Sequence, residues 1–201
     1  MFPSRLFHNR EVKGLDIGEF ETQLRELMGA PFPDRPFVCE GSPLDCQVFI
    51  VGINAASSMK DDFWDFWRPG YGFDRATWLD AYLATRTKPS RTRKAMQIIM
   101  DQAIAEHSEV RFLETNIYSI PTARENMLKS HQKSTKVFDF LLASIKPQVL
   151  LVHGAEPAQY VRNLGLGEST IVIESPHFIY VGHDKAREHG REIARTIRRA
   201  N

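Results

Sequence analysis

The chain has 201 residues, of which 42% are hydrophobic and 25% are charged, and its formal net charge at pH 7 is +1. This length suits one buried core, so we expect a single domain over residues 1–201, with residues 1–35 packed on it as an N-terminal arm and helix. The balanced charge excludes a strongly basic or acidic protein, although a basic face is compatible with it. Two cysteines, Cys39 and Cys46, are too few for a disulfide framework or a four-cysteine iron–sulfur site.

No stretch of the sequence is typical of a signal peptide, and no apolar run approaches the roughly 20 residues that span a bilayer. We find no internal repeat and no low-complexity segment. We therefore expect a cytoplasmic protein that does not enter a membrane.

The first quarter of the chain predicts a helix, a connector and a strand. Apolar residues recur at helical spacing between Ile17 and Met28 and predict a helix there. Four prolines between residues 30 and 45 predict an extended connector, because proline fixes φ and lacks a backbone donor. The apolar run 47–51, rich in β-branched residues, predicts a buried strand that ends at Gly52.

The rest of the chain alternates helices and strands. Asp74 and Ser90 are suited to N-capping helices, because their side-chain oxygens can accept hydrogen bonds from free backbone N–H groups. The predicted helices cover residues 74–85, 90–107, 134–145, 156–164 and 184–199, and the predicted strands cover residues 110–118, 149–152 and 170–173. The apolar runs are continuous, which indicates strands buried on both faces in a parallel sheet. We therefore predict an α/β fold, a three-layer α/β/α sandwich with a mostly parallel four-stranded central sheet.

Polar residues lie at or near the ends of three predicted strands. They are Asn54, Asn116 and His177. Because the carboxyl ends of parallel strands share one edge of a sheet, we expect these side chains to lie close together. Two amides and an imidazole are suited to reading a flat heterocycle by hydrogen bonds, although each residue also has a purely structural interpretation in which it bonds nearby backbone. The sequence lacks a nucleophile elbow, a Walker-type phosphate loop and the dinucleotide-binding glycine pattern.

Two further segments have alternative interpretations. The aromatic segment 63–73 is either a hydrophobic cluster that holds a loop in place or a platform on which a flat ligand stacks. The basic loop 86–94 is either a solvated surface or a phosphate-binding segment ahead of a helix N-terminus. Its candidate DNA-binding residues are Arg86, Lys88, Arg91 and Arg93. A second basic stretch lies between residues 124 and 136.

Three segments together resemble the motifs of the uracil-DNA glycosylase superfamily, in the same order. They are Ile50-Val51-Gly52-Ile53-Asn54, Thr115-Asn116-Ile117-Tyr118-Ser119-Ile120-Pro121 and Ser175-Pro176-His177. The chain looks most similar to the mismatch-specific and single-strand-selective branches, and the resemblance spans roughly residues 36–199. It implies a base-excision hydrolase of DNA repair that removes a damaged or deaminated base, with DNA as its partner and without a metal or other cofactor. We expect a monomer.

The resemblance also implies roles for individual residues. Asn54 would orient a water toward the sugar carbon, and Asn116 would pair with the flipped base. His177 would stabilise the negative charge that develops on the departing base. The other candidate substrate contacts are Gly52, Ile53 and Ser175, with Phe66 as the stacking aromatic and Trp64 and Trp67 as its competitors.

Two departures from the motifs leave alternatives open. Ala55 and Ala56 stand where the family has proline and glycine, and Glu174 or Ser175 can align with the motif histidine instead of His177. These departures favour, as an alternative, a non-catalytic protein of the same fold that binds a nucleobase or nucleic acid. A Glu174 carboxylate directed into the cleft would instead indicate hydrolysis of a small glycoside or ester.

Overall fold

The computed structural model of the chain describes residues 15–28, 34–54, 59, 61–122, 127–167 and 169–200. The helices are α1 (Ile17–Met28), α2 (Arg75–Ala84), α3 (Arg91–Glu106), α4 (Lys136–Ile145), α5 (Ala155–Asn163) and α6 (His183–Ala200). The strands are β1 (Phe37–Cys39), β2 (Val48–Asn54), β3 (Trp67–Arg68), β4 (Gly72–Phe73), β5 (Phe112–Tyr118), β6 (Val149–His153) and β7 (Ile171–Ser175). Residues 1–14 of the expected N-terminal arm, Ala55, Ala56 and residues 124–126 of the second basic stretch lie outside the described residues.

The central sheet has five strands in the order β1-β5-β2-β6-β7, and β3 and β4 form a separate hairpin. Strands β2, β5, β6 and β7 run parallel, whereas β1 runs antiparallel to β5. The prediction of four strands is therefore wrong by one edge strand, and the sheet is mixed. Strand β1 lies within the segment that we expected to be a connector. Its three residues pair with a distant part of the chain, as Val38 does with Glu114, so no local pattern predicts it.

Helices cover both faces of the sheet. On one face, Phe49 and Val51 of β2 belong to a hydrophobic cluster that includes residues of α1, α4 and α5. On the other face, Val48 and Ile50 pack with residues of α3 and α6. Because alternate side chains of β2 enter two different helical layers, the strand is apolar throughout, as the sequence predicted. None of the described helices has the length and apolar character needed to cross a membrane.

Local capping interactions begin two of the helices. The Asp74 carboxylate accepts a hydrogen bond from the Thr77 backbone N–H at 3.0 Å, and the Ser90 hydroxyl accepts one from the Arg93 N–H at 3.1 Å. Both predicted N-caps are therefore confirmed. Helix α6 begins at His183, one residue before the predicted start at 184, so Asp184 lies in its first turn.

Helices α3 and α6 approach each other closely at Gly190. A Cβ atom at this position would lie 2.6 Å from the Ile99 carbonyl oxygen and 2.7 Å from Gln102 Cβ, both in α3. Such distances are too short for a side chain, so glycine permits the contact between the two helices. This contact fixes α3, whose N-terminal end reaches the carboxyl edge of the sheet.

Candidate functional site

A cavity of about 370 Å³ opens at the carboxyl edge of the parallel strands. Asn54, Asn116 and His177 all line it, together with His153 at the end of β6. Strand β2 has β5 on one side and β6 on the other, so the chain reverses its direction of winding at this point of the sheet. Ligands of open α/β sheets bind at such switch points. The structure thus brings together the three polar residues that the sequence predicted to meet.

Gly52 forms the floor of the cavity. It lies opposite Asn116 of β5, and the register of β2 with β6 places His153 on its other side. A Cβ atom on Gly52 would lie 2.7 Å from Asn116 Oδ1 and 3.0 Å from His153 Nε2. The missing side chain therefore lets the amide and the imidazole converge over the strand. Gly52 shapes the site, while its neighbour Ile53 lines the cavity directly.

Asn54 is the last residue of β2. Its Nδ2 group donates a hydrogen bond to Thr122 Oγ1 at 2.7 Å. Thr122 follows β5, so this bond connects the loops at the ends of two neighbouring parallel strands. The contact holds the Asn54 amide in one orientation at the cavity wall.

His177 enters the cavity from the turn that follows β7. Its Nδ1 atom accepts a hydrogen bond from the Ile179 backbone N–H at 3.3 Å, which places the proton of the neutral ring on Nε2. Burial lowers the pKa of His177 and so favours the neutral ring. The site therefore contains a neutral imidazole whose N–H is not used by its own turn.

His153 is a second imidazole in the cavity, and sequence reasoning missed it. Its ring stacks on Phe178 with centroids 4.1 Å apart and meets His177 edge-on at 5.1 Å. It is only 6% exposed, and burial, together with the positive charge that His177 carries once protonated at low pH, lowers the pKa of His153 to about 3. The signal in the sequence is a polar residue directly after the continuous apolar run 149–152.

Alternation along β7 separates the two residues that competed with His177. Ser175 lies beside His153 and faces α6, where its hydroxyl is 3.1 Å from His189 Nε2. Glu174 points to the opposite face and forms an ion pair with Arg162 of α5, with oxygens 2.9 and 3.0 Å from Nη1. Neither side chain lines the cavity, so Ser175 does not lie where a substrate contact was expected. Of Glu174, Ser175 and His177, only His177 lines the cavity together with Asn54.

The aromatic wall of the cavity differs from the predicted one. Phe66 is 5% exposed and packs against Phe73, and it lines only a small adjoining cavity of about 20 Å³. Trp64 and Trp67 also lie outside the lining of the main cavity, so the segment 63–73 is mainly a hydrophobic cluster. Trp78 and Tyr82 of α2, stacked on each other at 5.3 Å, form the wall instead.

Two of the four predicted basic residues reach the cavity. Arg86 lies 4.5 Å above the Tyr82 ring, and Arg93 lies 5.0 Å from the Trp78 centroid. Both line the cavity, whereas the exposed side chains of Lys88 and Arg91 do not. Arg35, which sequence reasoning missed, also lines it. Burial lowers the pKa of Arg35, the charge of Asp61 opposes this effect, and the charge of Arg86 adds to it.

Glu114 contributes a carboxylate to the lining, but two arginines neutralise it. It is buried, forms an ion pair with Arg93 and accepts hydrogen bonds from Arg75 at 3.1 and 3.3 Å. Arg75 in turn donates to Gln97 of α3 at 3.2 Å. This triad connects α2, β5 and α3 and leaves one excess positive charge beneath the cavity.

Within the described ranges, no group of three or more His, Cys, Asp or Glu side chains is arranged to hold a metal ion. Cys39 and Cys46 are buried free thiols, and burial raises the pKa of Cys39.

The chain matches no known protein-family model, and a search of curated proteins finds no match to its sequence.

Proposed function

We propose that the protein is a DNA glycosylase-like enzyme that takes a damaged or deaminated base into the cavity and hydrolyses its N-glycosidic bond. The observation that carries this proposal is the convergence of Asn54, Asn116 and His177 on one cavity at the carboxyl edge of the sheet. A volume of about 370 Å³ is in the range of small-molecule sites. The resemblance to the uracil-DNA glycosylase superfamily rests on the same three residues.

Base recognition falls to Asn116. An amide offers both a donor and an acceptor, which matches the edge of a base that presents a carbonyl beside a ring N–H. The bare backbone of Gly52 lets this amide and the His153 imidazole come together at the floor of the cavity, where the edge of a base would meet them.

Bond cleavage falls to His177 and Asn54. As the bond between C1′ and the base breaks, its electron pair stays with the base, and the His177 Nε2–H stabilises the resulting negative charge by a hydrogen bond. Asn54, oriented by Thr122, positions a water that adds to C1′. An amide does not accept the proton of that water, which passes to solvent, and the departed base takes a proton from solvent.

DNA binding falls to the cationic rim. Arg35, Arg86 and Arg93 line the cavity together with Ser90 and Thr92 at the start of α3. Guanidinium groups and helix N-terminal N–H groups both bind phosphate oxygens. The stacked pair Trp78 and Tyr82 supports this rim, because Arg86 and Arg93 lie over its rings.

A second candidate function is nucleobase or nucleic-acid binding without catalysis. One observation favours it: among the described residues that line the cavity, Glu114 is the carboxylate, and its ion pairs with Arg75 and Arg93 make it a poor general base. Without a general base, hydrolysis would depend only on how readily the base departs. The position of Glu174, paired with Arg162 away from the cavity, argues against the third possibility, a glycoside or ester hydrolase that uses this carboxylate.

The test is base release by the purified full chain. Single- and double-stranded DNA containing uracil, hypoxanthine, xanthine or alkylated bases is incubated at low salt with excess protein. We expect release of at least one of these bases, reduced about 100-fold by Asn54→Ala or His177→Ala. Glu174→Gln is the matched control, because this side chain lies outside the cavity.

Absence of release from every substrate would reject the enzyme. DNA binding that weakens with salt, is lost in Arg86→Gln and persists in Lys88→Gln would then support the non-catalytic alternative. Both side chains belong to one loop, but only Arg86 reaches the cavity, so this pair distinguishes the site from the general surface.

A further inference from the structure

The His153 imidazole has no assigned role in the proposed reaction, although it is buried at the floor of the cavity. Its Nδ1 atom is enclosed and has no hydrogen-bond partner among the described residues. Buried polar atoms without partners are rare in native proteins, and each requires an explanation. A core position packed between Phe178 and His177 would be filled more favourably by an apolar ring.

The surroundings of His153 determine which ring nitrogen carries the proton. Nε2 and Asn116 Oδ1 lie 3.0 and 2.7 Å from the same point above Gly52. With the proton on Nδ1, an N–H group would be buried without an acceptor, and the Nε2 lone pair would face the amide oxygen. With the proton on Nε2, the N–H points over the glycine floor, toward Asn116 and any ligand held there.

We infer that His153 is a specificity-determining residue, whose Nε2–H donates a hydrogen bond to a ring carbonyl of the base that Asn116 binds. This inference rests on the proposed function, since it takes the ligand to be a nucleobase. An exocyclic amine at the same position would bring its N–H group against the His153 Nε2–H, and two donors cannot form a hydrogen bond with each other. The pocket would therefore favour oxo-bases over their amino counterparts. Because burial lowers the pKa of His153 to about 3, the ring remains a neutral single donor at pH 7.

The test compares bases that differ by one such group. Uracil and cytosine, and hypoxanthine and adenine, are titrated into the ¹⁵N-labelled full chain, and the binding and the ¹⁵N shifts of the imidazoles are followed by NMR. We expect the oxo-base of each pair to bind roughly tenfold more tightly or better, and His153 to carry its proton on Nε2. His153→Phe should remove this preference, whereas His153→Gln, which keeps a donor, should retain part of it.

Thermal unfolding distinguishes recognition from a structural role. His153→Phe removes an unpartnered polar atom, so its Tm should equal or exceed that of the unchanged protein. His183→Gln, an exposed histidine at the start of α6, is the control for both measurements. A lower Tm for His153→Phe with the base preference intact, a proton on Nδ1, or no binding of any of the four bases at millimolar concentration would overturn the inference.

The outcome is separable from that of the proposed function. Excision of bases from DNA without a preference for oxo-bases would overturn the role of His153 and leave the glycosylase standing. A preference for oxo-bases that is lost in His153→Phe, without excision, would support His153 and reject the enzyme.

Discussion

His153 and His189 are two histidines buried to a similar extent on the same face of the sheet, with 6% and 2% exposure. The Nδ1 atoms of both make no hydrogen bond in the described part of the chain, but His189 Nδ1 lies 3.8 Å from Glu192 Oε2, whereas His153 Nδ1 is packed among apolar and aromatic groups. Their other nitrogens differ, because His189 Nε2 bonds the Ser175 hydroxyl at 3.1 Å, whereas His153 Nε2 points over Gly52. The difference follows from what covers the sheet, since α6 closes over Ser175 and the cavity lies above Gly52.

The comparison of the two histidines shows that burial alone does not distinguish a histidine with a structural role from one that binds a ligand. Ser175 and His153 are direct neighbours across β7 and β6, so one row of the sheet passes from a closed polar pair to an open pocket. A hydrogen-bond partner within the protein accounts for a buried polar group, whereas a group beside a cavity without such a partner still requires an explanation. Substitutions along this row can therefore strengthen or remove the distinction.

The largest effect on stability is expected for His189→Ala. The substitution empties a buried site and leaves the Ser175 hydroxyl without its partner, which together should lower the free energy of unfolding by about 3 kcal/mol. Urea unfolding measures it, with His183→Ala on the same helix as the exposed control. A loss below about 1 kcal/mol would mean that His189 is no more structural than His153.

Gly52→Ala should have the next largest effect, because its Cβ atom collides with Asn116 and His153. We expect a loss of about 2 kcal/mol in the free energy of unfolding, and loss of base binding as the two side chains are pushed apart. Gly182→Ala is the control, since a Cβ atom there meets nothing within 4 Å. Unchanged binding by Gly52→Ala would show that the floor of the cavity is not part of the site.

The pH dependence of stability should also report His153. Its folded pKa of about 3 lies below the ordinary value of 6.5, so the unfolded chain binds the proton more readily. Stability is therefore full above about pH 6.5 and falls as the pH drops toward 3, by at most about 1.4 kcal/mol per pH unit. Urea unfolding between pH 7 and 5 should show a flatter dependence for His153→Phe than for the unchanged protein. The same pH dependence in both proteins would mean that a group other than His153 takes up the proton on unfolding. His183→Gln is again the control.

Ser175→Ala should have the smallest effect. Losing the hydrogen bond to His189 should cost about 1 kcal/mol, while base binding stays unchanged because Ser175 does not line the cavity. A double-mutant cycle with His189→Ala measures the coupling between the two residues. Weaker base binding by Ser175→Ala would mean that Ser175 contacts the substrate, as the resemblance to the motif implied.

Features encoded by neighbouring residues were predictable from the sequence. The caps at Asp74 and Ser90 depend on residues three positions away, and the strands at the centre of the sheet are continuous apolar runs. Convergence of Asn54, Asn116 and His177 followed from the rule that parallel strands end at one edge.

Features that depend on distant residues were not predictable. Strand β1 exists because β5 offers it a partner, and Trp78 and Tyr82 form the cavity wall because Arg93, held by Glu114, lies against them. Phe66 belongs to an aromatic segment that could have formed a stacking platform. Its side chain packs against Phe73 in the core instead. Placing His153 in the cavity requires the register between β2 and β6, and no single segment of the sequence contains that information.

The close contact at Gly190 makes the position of the cavity wall depend on the last helix. Any side chain at residue 190 would push α3 away from α6, and the N-terminal end of α3 carries Arg93 and the rim of the cavity. A change there would alter ligand binding without touching the ligand. In a random mutagenesis screen for activity, substitutions at Gly190 should therefore be recovered alongside those in the cavity, although the residue packs against the far part of α3.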